Sequence, residues 1–263
     1  MKMVASRFDG RAEGRCGLGE WTDAPGCLVW RRIDLDDDGW QDSPCVLAAD
    51  EIERASRFAF ARDRSRYVAG RTALRLSLAE VVGMRPERIR LAYGPNGKPR
   101  LAEDDNWHFN VTHSDGIGLI VIGNAKRVGE VGVDVEHIKE VADLQMLAAS
   151  SFSPQECHAL ENRPVDMRSR AFLACWTRKE ACVKALGTGL TTPTCDFHVG
   201  ITDPCFATFI EHDGVALRLE GCEIPAGRDC VAAIAWRSAA TGIPVHEGHR
   251  LRHHSGPCLD LES

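Results

Sequence analysis

Apolar and polar positions along this 263-residue chain repeat with two different periods, and the changes of period mark out its elements. Val131, Val133 and Val135 recur at every second residue, the pattern of a strand with one buried face. Shorter runs rich in β-branched and aromatic residues predict strands over 26–33, 89–93, 107–112, 118–122, 197–199, 206–212, 215–220 and 230–236. Between them, 48–82 reads as mostly helical and stops at Gly83. Further helices are expected at 144–150, 154–161 and 170–186. The last of these contains no Gly or Pro and ends at Gly187. Gly94-Pro95-Asn96-Gly97 reads as a turn. Helices mixed with antiparallel strands in each half define an α+β class.

Composition narrows this picture. Hydrophobic residues at 44% and charged residues at 27% are ordinary for a globular chain long enough to bury a large core. No apolar run approaches membrane-spanning length, and the amino terminus lacks the apolar stretch of a signal peptide. Eleven cysteines are an odd number and include no Cys-x-x-Cys. Cys175, Cys182 and Cys230 fall in apolar segments, so the thiols are expected reduced, in a cytoplasmic protein. A net charge of −6 argues against nucleic acid as a partner. Its distribution is uneven: ten arginines against Asp63, Glu80 and Glu87 make 54–90 strongly basic. Some of these arginines belong to a solvated helix face, and the rest suit a polyanion.

Candidate chemistry lies in two segments. On the 170–186 helix Trp176, Glu180 and Lys184 are spaced i, i+4, i+8 and share a face with Phe172. Taken alone, Glu180 and Lys184 read first as an exposed i,i+4 ion pair. On the strand, Asp134 and Glu136 point to one side, where two carboxylates repel unless solvent, a cation or a basic group intervenes. Magnesium suits such a group, since it takes one or two carboxylates with waters and substrate phosphates. Gly94 to Pro99 lacks Walker spacing. His113-Ser114-Asp115 is no triad, because neighbours on a strand point apart. Cys157-His158 and His253-His254 have no orienting or metal-spaced partners.

Gly132-Val133-Asp134-Val135-Glu136 followed by Trp176-Thr177-Arg178-Lys179-Glu180-Ala181-Cys182-Val183-Lys184 resembles the signature of 4′-phosphopantetheinyl transferases, in their larger, surfactin-synthetase-activating type. Four further segments match in order: Arg66 to Arg71, Gly97-Lys98-Pro99, Phe109-Asn110-Val111-Thr112-His113-Ser114, and Phe152-Ser153-Pro154-Gln155-Glu156. The resemblance runs from about Arg54 to Leu190.

It implies two similar α+β halves in pseudo-twofold arrangement with the active site at their interface. The expected division is 1–129, 130–237 and a loose tail over 238–263. It implies transfer of 4′-phosphopantetheine from coenzyme A to a serine of an apo acyl or peptidyl carrier protein, with release of adenosine 3′,5′-bisphosphate. Carried over residue by residue, Asp134, Glu136 and Glu180 would bind Mg²⁺, and Glu180 and Lys184 would be catalytic. Lys98, Thr112, His113, Lys179 and Lys184 would contact coenzyme A phosphates, and Arg54 and Arg66 its nucleotide end. Some relatives carry a basic residue one turn before Arg54, where this chain has Glu51. The partners implied are coenzyme A and acidic carrier domains of fatty-acid, polyketide or peptide synthetases, met by a monomer with no membrane partner. A Mg²⁺-dependent nucleotidyl or phosphoryl transferase is the rival enzyme, and a non-catalytic coenzyme A or carrier-binding module the rival of another class.

Overall fold

A computed structural model describes residues 22–24, 28–40, 46–238 and 243–244. In chain order the elements are β1 (Thr22–Ala24), β2 (Leu28–Asp34), α1 (Ala49–Ser56), α2 (Ala61–Val82), β3 (Leu91–Tyr93), β4 (Pro99–Leu101), β5 (Trp107–Ser114) and β6 (Ile117–Asn124). There follow β7 (Val131–His137), α3 (Leu144–Ser151), α4 (Pro154–Glu161), α5 (Val165–Leu186), β8 (Cys205–His212), β9 (Val215–Glu223), β10 (Cys230–Arg237) and β11 (Ile243–Pro244). The first sheet runs β1-β2-β6-β5 and the second β11-β9-β10-β7, with β8 added on β9. All pairings are antiparallel, and β3 and β4 form a separate hairpin. The chain is α+β, with α1 and α2 in the first half and α3 to α5 in the second.

Alternation along the strands builds a layered molecule. On β6, Ile120 and Ile122 face a core shared with Leu74 and Leu78 of α2, while Leu119 and Val121 face the other way. On β10, Val231, Ala233 and Ala235 pack against Phe172, Leu173 and Ala181 of α5, while Ala232, Ile234 and Trp236 turn inward. The inward faces meet in one central core that holds Leu28 and Trp30 of β2 together with Val131, Val133 and Val135 of β7. The two halves are thus glued by a buried apolar layer, and removing either would expose it to water.

Several boundaries differ from expectation. The 48–82 helix is two helices, because Phe60 is extended and Phe58 packs against Tyr67 at 5.2 Å, turning the chain back on itself. No Gly or Pro marks this break. Helix α5 begins at Val165, directly after Pro164; its extra turn exposes Val165 and Met167, so no apolar stripe announces it. Residues 197–199 form no strand, since the Val199 amide donates to the buried Glu156 carboxylate at 2.8 Å rather than to a ladder. Of the expected tail, 243–244 add a short strand to β9, and 245–263 lie outside the described residues. Gly26, at the start of the first expected strand, also lies outside them.

Candidate active site

The chemistry gathers where the edge strands β5 and β7 of the two sheets run side by side. Asn110, Thr112 and Ser114 alternate along β5 and so share a face. Asn110 Oδ1 accepts from the Val133 amide at 3.0 Å, Thr112 Oγ1 donates to Asp134 Oδ1 at 3.2 Å, and Ser114 Oγ donates to Glu136 Oε2 at 3.3 Å. The Ser114 hydroxyl also accepts from the His137 amide at 3.3 Å. Three polar side chains thereby stitch one half to the other and orient both carboxylates of β7.

Helix α5 reaches this seam because of Gly132. A Cβ there would sit on the Ala181 carbonyl oxygen and the Ala185 amide nitrogen, and 3.0 Å from the Lys184 carbonyl carbon. Only a residue without a side chain lets the helix backbone lie this close to the strand. The result is that Lys184 Nζ donates to Asp134 Oδ1 at 2.6 Å and to Thr112 Oγ1 at 3.2 Å, joining α5, β7 and β5. Beside them opens a cavity of about 460 Å³ lined by Asn110, Trp176, Glu180, Lys184, Gly187 and Thr194, among others.

The electrostatics are those of crowded acids. Burial raises the Asp134 carboxyl against the pull of Lys184. Glu136 and Glu180 are raised by burial first and then by the charge on Asp134. Asp134 Oδ2 is buried without a hydrogen-bond partner. A buried carboxylate oxygen left bare is costly unless a cation meets it. Among the described residues no three His, Cys, Asp or Glu groups are gathered closely enough to hold a metal ion. The bare Asp134 oxygen therefore fits an ion that takes one or two carboxylates and completes its shell with phosphate and water, as Mg²⁺ does.

Of the other expected site residues, Lys98 also lines the cavity, while Lys179, His113, Arg54 and Arg66 lie outside its lining. Lys179 is fully buried; it pairs with Glu156 at 2.8 Å and donates to the carbonyls of Thr194 and Phe197 at 2.7 and 2.6 Å. The Phe197 ring centroid lies 4.6 Å from its ammonium. It pins α5 to α4 and the 194–197 segment, and it is not among the residues that line the cavity. Lys98 Nζ donates to Glu130 at 2.6 Å, Val131 O at 3.1 Å and Ala185 O at 3.0 Å, so in this structure it ties the β3–β4 turn to β7 and α5. Burial lowers its ammonium, opposed by Glu130. His113 lies on the opposite face of β5 from Thr112 and is exposed.

Arg66 is held at 2.6 and 2.7 Å by Asp36, whose carboxyl this hydrogen bond lowers. Arg54 sits 5.7 Å from the Tyr67 ring centroid, in a surface cleft with Asp50, Glu53 and Arg57. Neither arginine bonds to the seam. Two arginines of the basic segment turn inward: Arg71 and Arg75 clamp the buried Glu51, whose carboxylate also accepts from the Ala48 amide. The basic surface is smaller than the sequence suggests, and Glu51 is a structural anion. Trp176, expected as packing, stacks at 6.5 Å on Phe172 and also lines the cavity.

Gly132, Asn110, Ser114 and Glu156 stand in the matching segments, but the sequence assigns them no role in the site. The alternation of Asn, Thr and Ser along β5 was the readable sign of the seam. Ser153-Pro154-Gln155-Glu156 was the readable sign of a capping box, which the structure shows complete.

A polar seam between two α+β halves, with acids from one strand near an acid and a lysine one turn apart on a helix, suits an enzyme for a phosphate-bearing substrate. Residues 130–235 match the family described as the 4′-phosphopantetheinyl transferase superfamily, and 35–124 match its N-terminal domain. The chain is 33% identical over 166 residues to 4′-phosphopantetheinyl transferase HetI of Nostoc, covering 62% of this chain and 69% of HetI. It is 33% identical over 172 residues to the transferase psf-1 of Bacillus pumilus, covering 65% and 67%. With AcpT of Escherichia coli K12 it shares 38% identity over 125 residues, 47% of this chain and 58% of AcpT. This chain belongs to the 4′-phosphopantetheinyl transferases and is a transferase of 4′-phosphopantetheine.

Proposed function

We propose that the β5–β7–α5 seam performs the transfer from coenzyme A to the serine of an apo carrier protein. The observation that carries this reading is the bare, buried Asp134 Oδ2 beside the Lys184 ammonium, with Glu180 one turn away on α5. Asp134, Glu136 and Glu180 would hold Mg²⁺, which supplies neutralisation of charge on the transferring phosphoryl group.

The serine Oγ attacks the β-phosphorus of coenzyme A. The bond to the bridging oxygen breaks, and adenosine 3′,5′-bisphosphate leaves with the electron pair. The serine proton passes to Glu180, directly or through a water. Burial and the neighbouring acids raise the Glu180 carboxyl, but a bound cation would lower it again, which favours the relay through a water. Lys184, already placed between the halves, meets the developing negative charge. Thr112 fixes Asp134 and steadies Lys184. Coenzyme A phosphates would be shared by Lys184, Thr112 and His113, and the nucleotide end by Arg54 and Arg66. Lys179 would act as a strut on Glu156, and Lys98, tied to Glu130 in the cavity lining, would be placed to meet a coenzyme A phosphate as well.

The exposed arginines of 54–90 suit an acidic carrier domain, and the shared central core suits a monomer divided at about 129 with a border near 237. No helix among the described residues is long and apolar enough to cross a membrane, and the described cysteines are free, which together support a cytoplasmic setting. The test is mass measurement of an apo carrier domain after incubation with the protein, coenzyme A and Mg²⁺. One added phosphopantetheine supports the proposal. No gain with carriers of all three synthetase types, despite coenzyme A binding, would convert the protein into a binding module.

A further inference from the structure

Away from the seam, β8 and β9 form a hairpin closed at Asp213-Gly214, and its open end sets Cys205 directly opposite Cys222. The Glu223 amide donates to the Pro204 carbonyl at 2.7 Å, so 204/223 is the hydrogen-bonded pair and 205/222 lies between rungs. At such a position the Cα atoms approach to about 4.5 Å with side chains on one face, and a disulfide spans about 4.4–6.8 Å. Cys222 is buried in the central core, whereas Cys205 is exposed on β8, which pairs with β9 alone among the described strands. Burial, then the facing Cys205 thiol, pushes the Cys222 thiol up to about 11.

We propose that Cys205 and Cys222 are a reversible disulfide site that staples the open end of the β8–β9 hairpin. The exposed Cys205 thiolate attacks one sulfur of a small disulfide such as oxidised glutathione. That S–S bond breaks, one small thiolate leaves and takes up a proton, and Cys205 carries a mixed disulfide. Cys222 then gives its proton to solvent and attacks the Cys205 sulfur, expelling the second small thiol. Two protein thiols are oxidised to one disulfide while one small disulfide is reduced to two thiols.

Closing the bond draws the Cβ atoms together by roughly 1 Å from ordinary cross-strand spacing, and an edge strand can accommodate that. The raised Cys222 thiol slows the second step near neutral pH and lets it accelerate as pH rises. The staple would sit beside Glu223, whose carboxylate receives Arg178 at 2.6 Å and so anchors α5 two residues before Glu180.

The experiment equilibrates the full chain in oxidised and reduced glutathione, quenches with an alkylating reagent, and maps peptides by mass spectrometry. The expected product joins the Cys205 and Cys222 peptides with loss of two hydrogens. It reverts with excess reduced thiol, vanishes in C205S and persists in C195S. Amide exchange along β8 should slow by about tenfold or more in the oxidised protein. A stable glutathione adduct on Cys205 with Cys222 still alkylatable after unfolding overturns the proposal. Equal β8 exchange in oxidised and reduced protein overturns the staple.

Discussion

Gly132→Ala tests whether the close approach of α5 to β7 builds the site. The added Cβ would overlap two backbone atoms of α5, Ala181 O and Ala185 N, and backbone cannot swing aside as a side-chain tip can. The helix must retreat by about 1 Å, and overpacking of this kind costs about 1–3 kcal/mol. In a protein of this size that lowers Tm by roughly 2–10 °C. The larger effect is chemical. Glu180 and Lys184 ride on the displaced helix while Asp134 stays on the strand, so the 2.6 Å Lys184–Asp134 contact opens. A misplacement of ~1 Å at reacting groups costs roughly a hundredfold in rate. The assay is single-turnover modification of an apo carrier, followed by mass, beside a thermal melt. Gly214→Ala is the control: Gly214 has φ 74 and nothing near its Cβ, so it strains the β8–β9 turn by about 1 kcal/mol without touching α5. If Gly132→Ala transfers within threefold of the parent, or loses no more rate than Gly214→Ala, the contact does not position the site.

Glu180→Gln should leave the fold intact and cut transfer by about a hundredfold or more, measured at saturating Mg²⁺ and coenzyme A; near-normal turnover would remove it as the base. Asp134→Asn should move the magnesium titration to higher concentration, and an unchanged midpoint would take Asp134 out of the metal set. Glu156→Gln leaves the Lys179 charge buried and should destabilise by about 3–5 kcal/mol in denaturant melts, with much of the loss recovered by adding Lys179→Met. Burial pushes the Glu156 carboxyl up, but Lys179 together with the Val199 and Ser153 amides outweighs it and leaves the group below its ordinary 4.5. Its contribution is therefore full above about pH 4.5 and lost as pH falls through the folded value, so parent and Glu156→Gln should converge in acid. Lys98→Ala should lower stability by about 2 kcal/mol with or without coenzyme A, and a Tm unchanged beside a raised coenzyme A KM would make it a phosphate ligand instead.

The chain by itself determined the class, most of the elements and the candidate residues at the centre of the seam. A period of two put Asp134 and Glu136 on one face, and a period near four put Glu180 and Lys184 on another. These relations are local, set by backbone geometry within one element. Which elements meet is a matter of packing. Gly132 is in the sequence only one member of the Gly-Val-Asp-Val-Glu segment, and its contact with α5 is what shows that it sets the distance between acid and lysine. Lys179 and Lys184 lie on the same helix and carry the same charge, yet one is sealed against Glu156 and the other spans the halves. Arg71, Arg75 and Glu51 likewise look like surface charges until α1 and α2 fold together. Tertiary structure decided these roles because burial and partner distance depend on residues far apart in the chain, which no local pattern encodes.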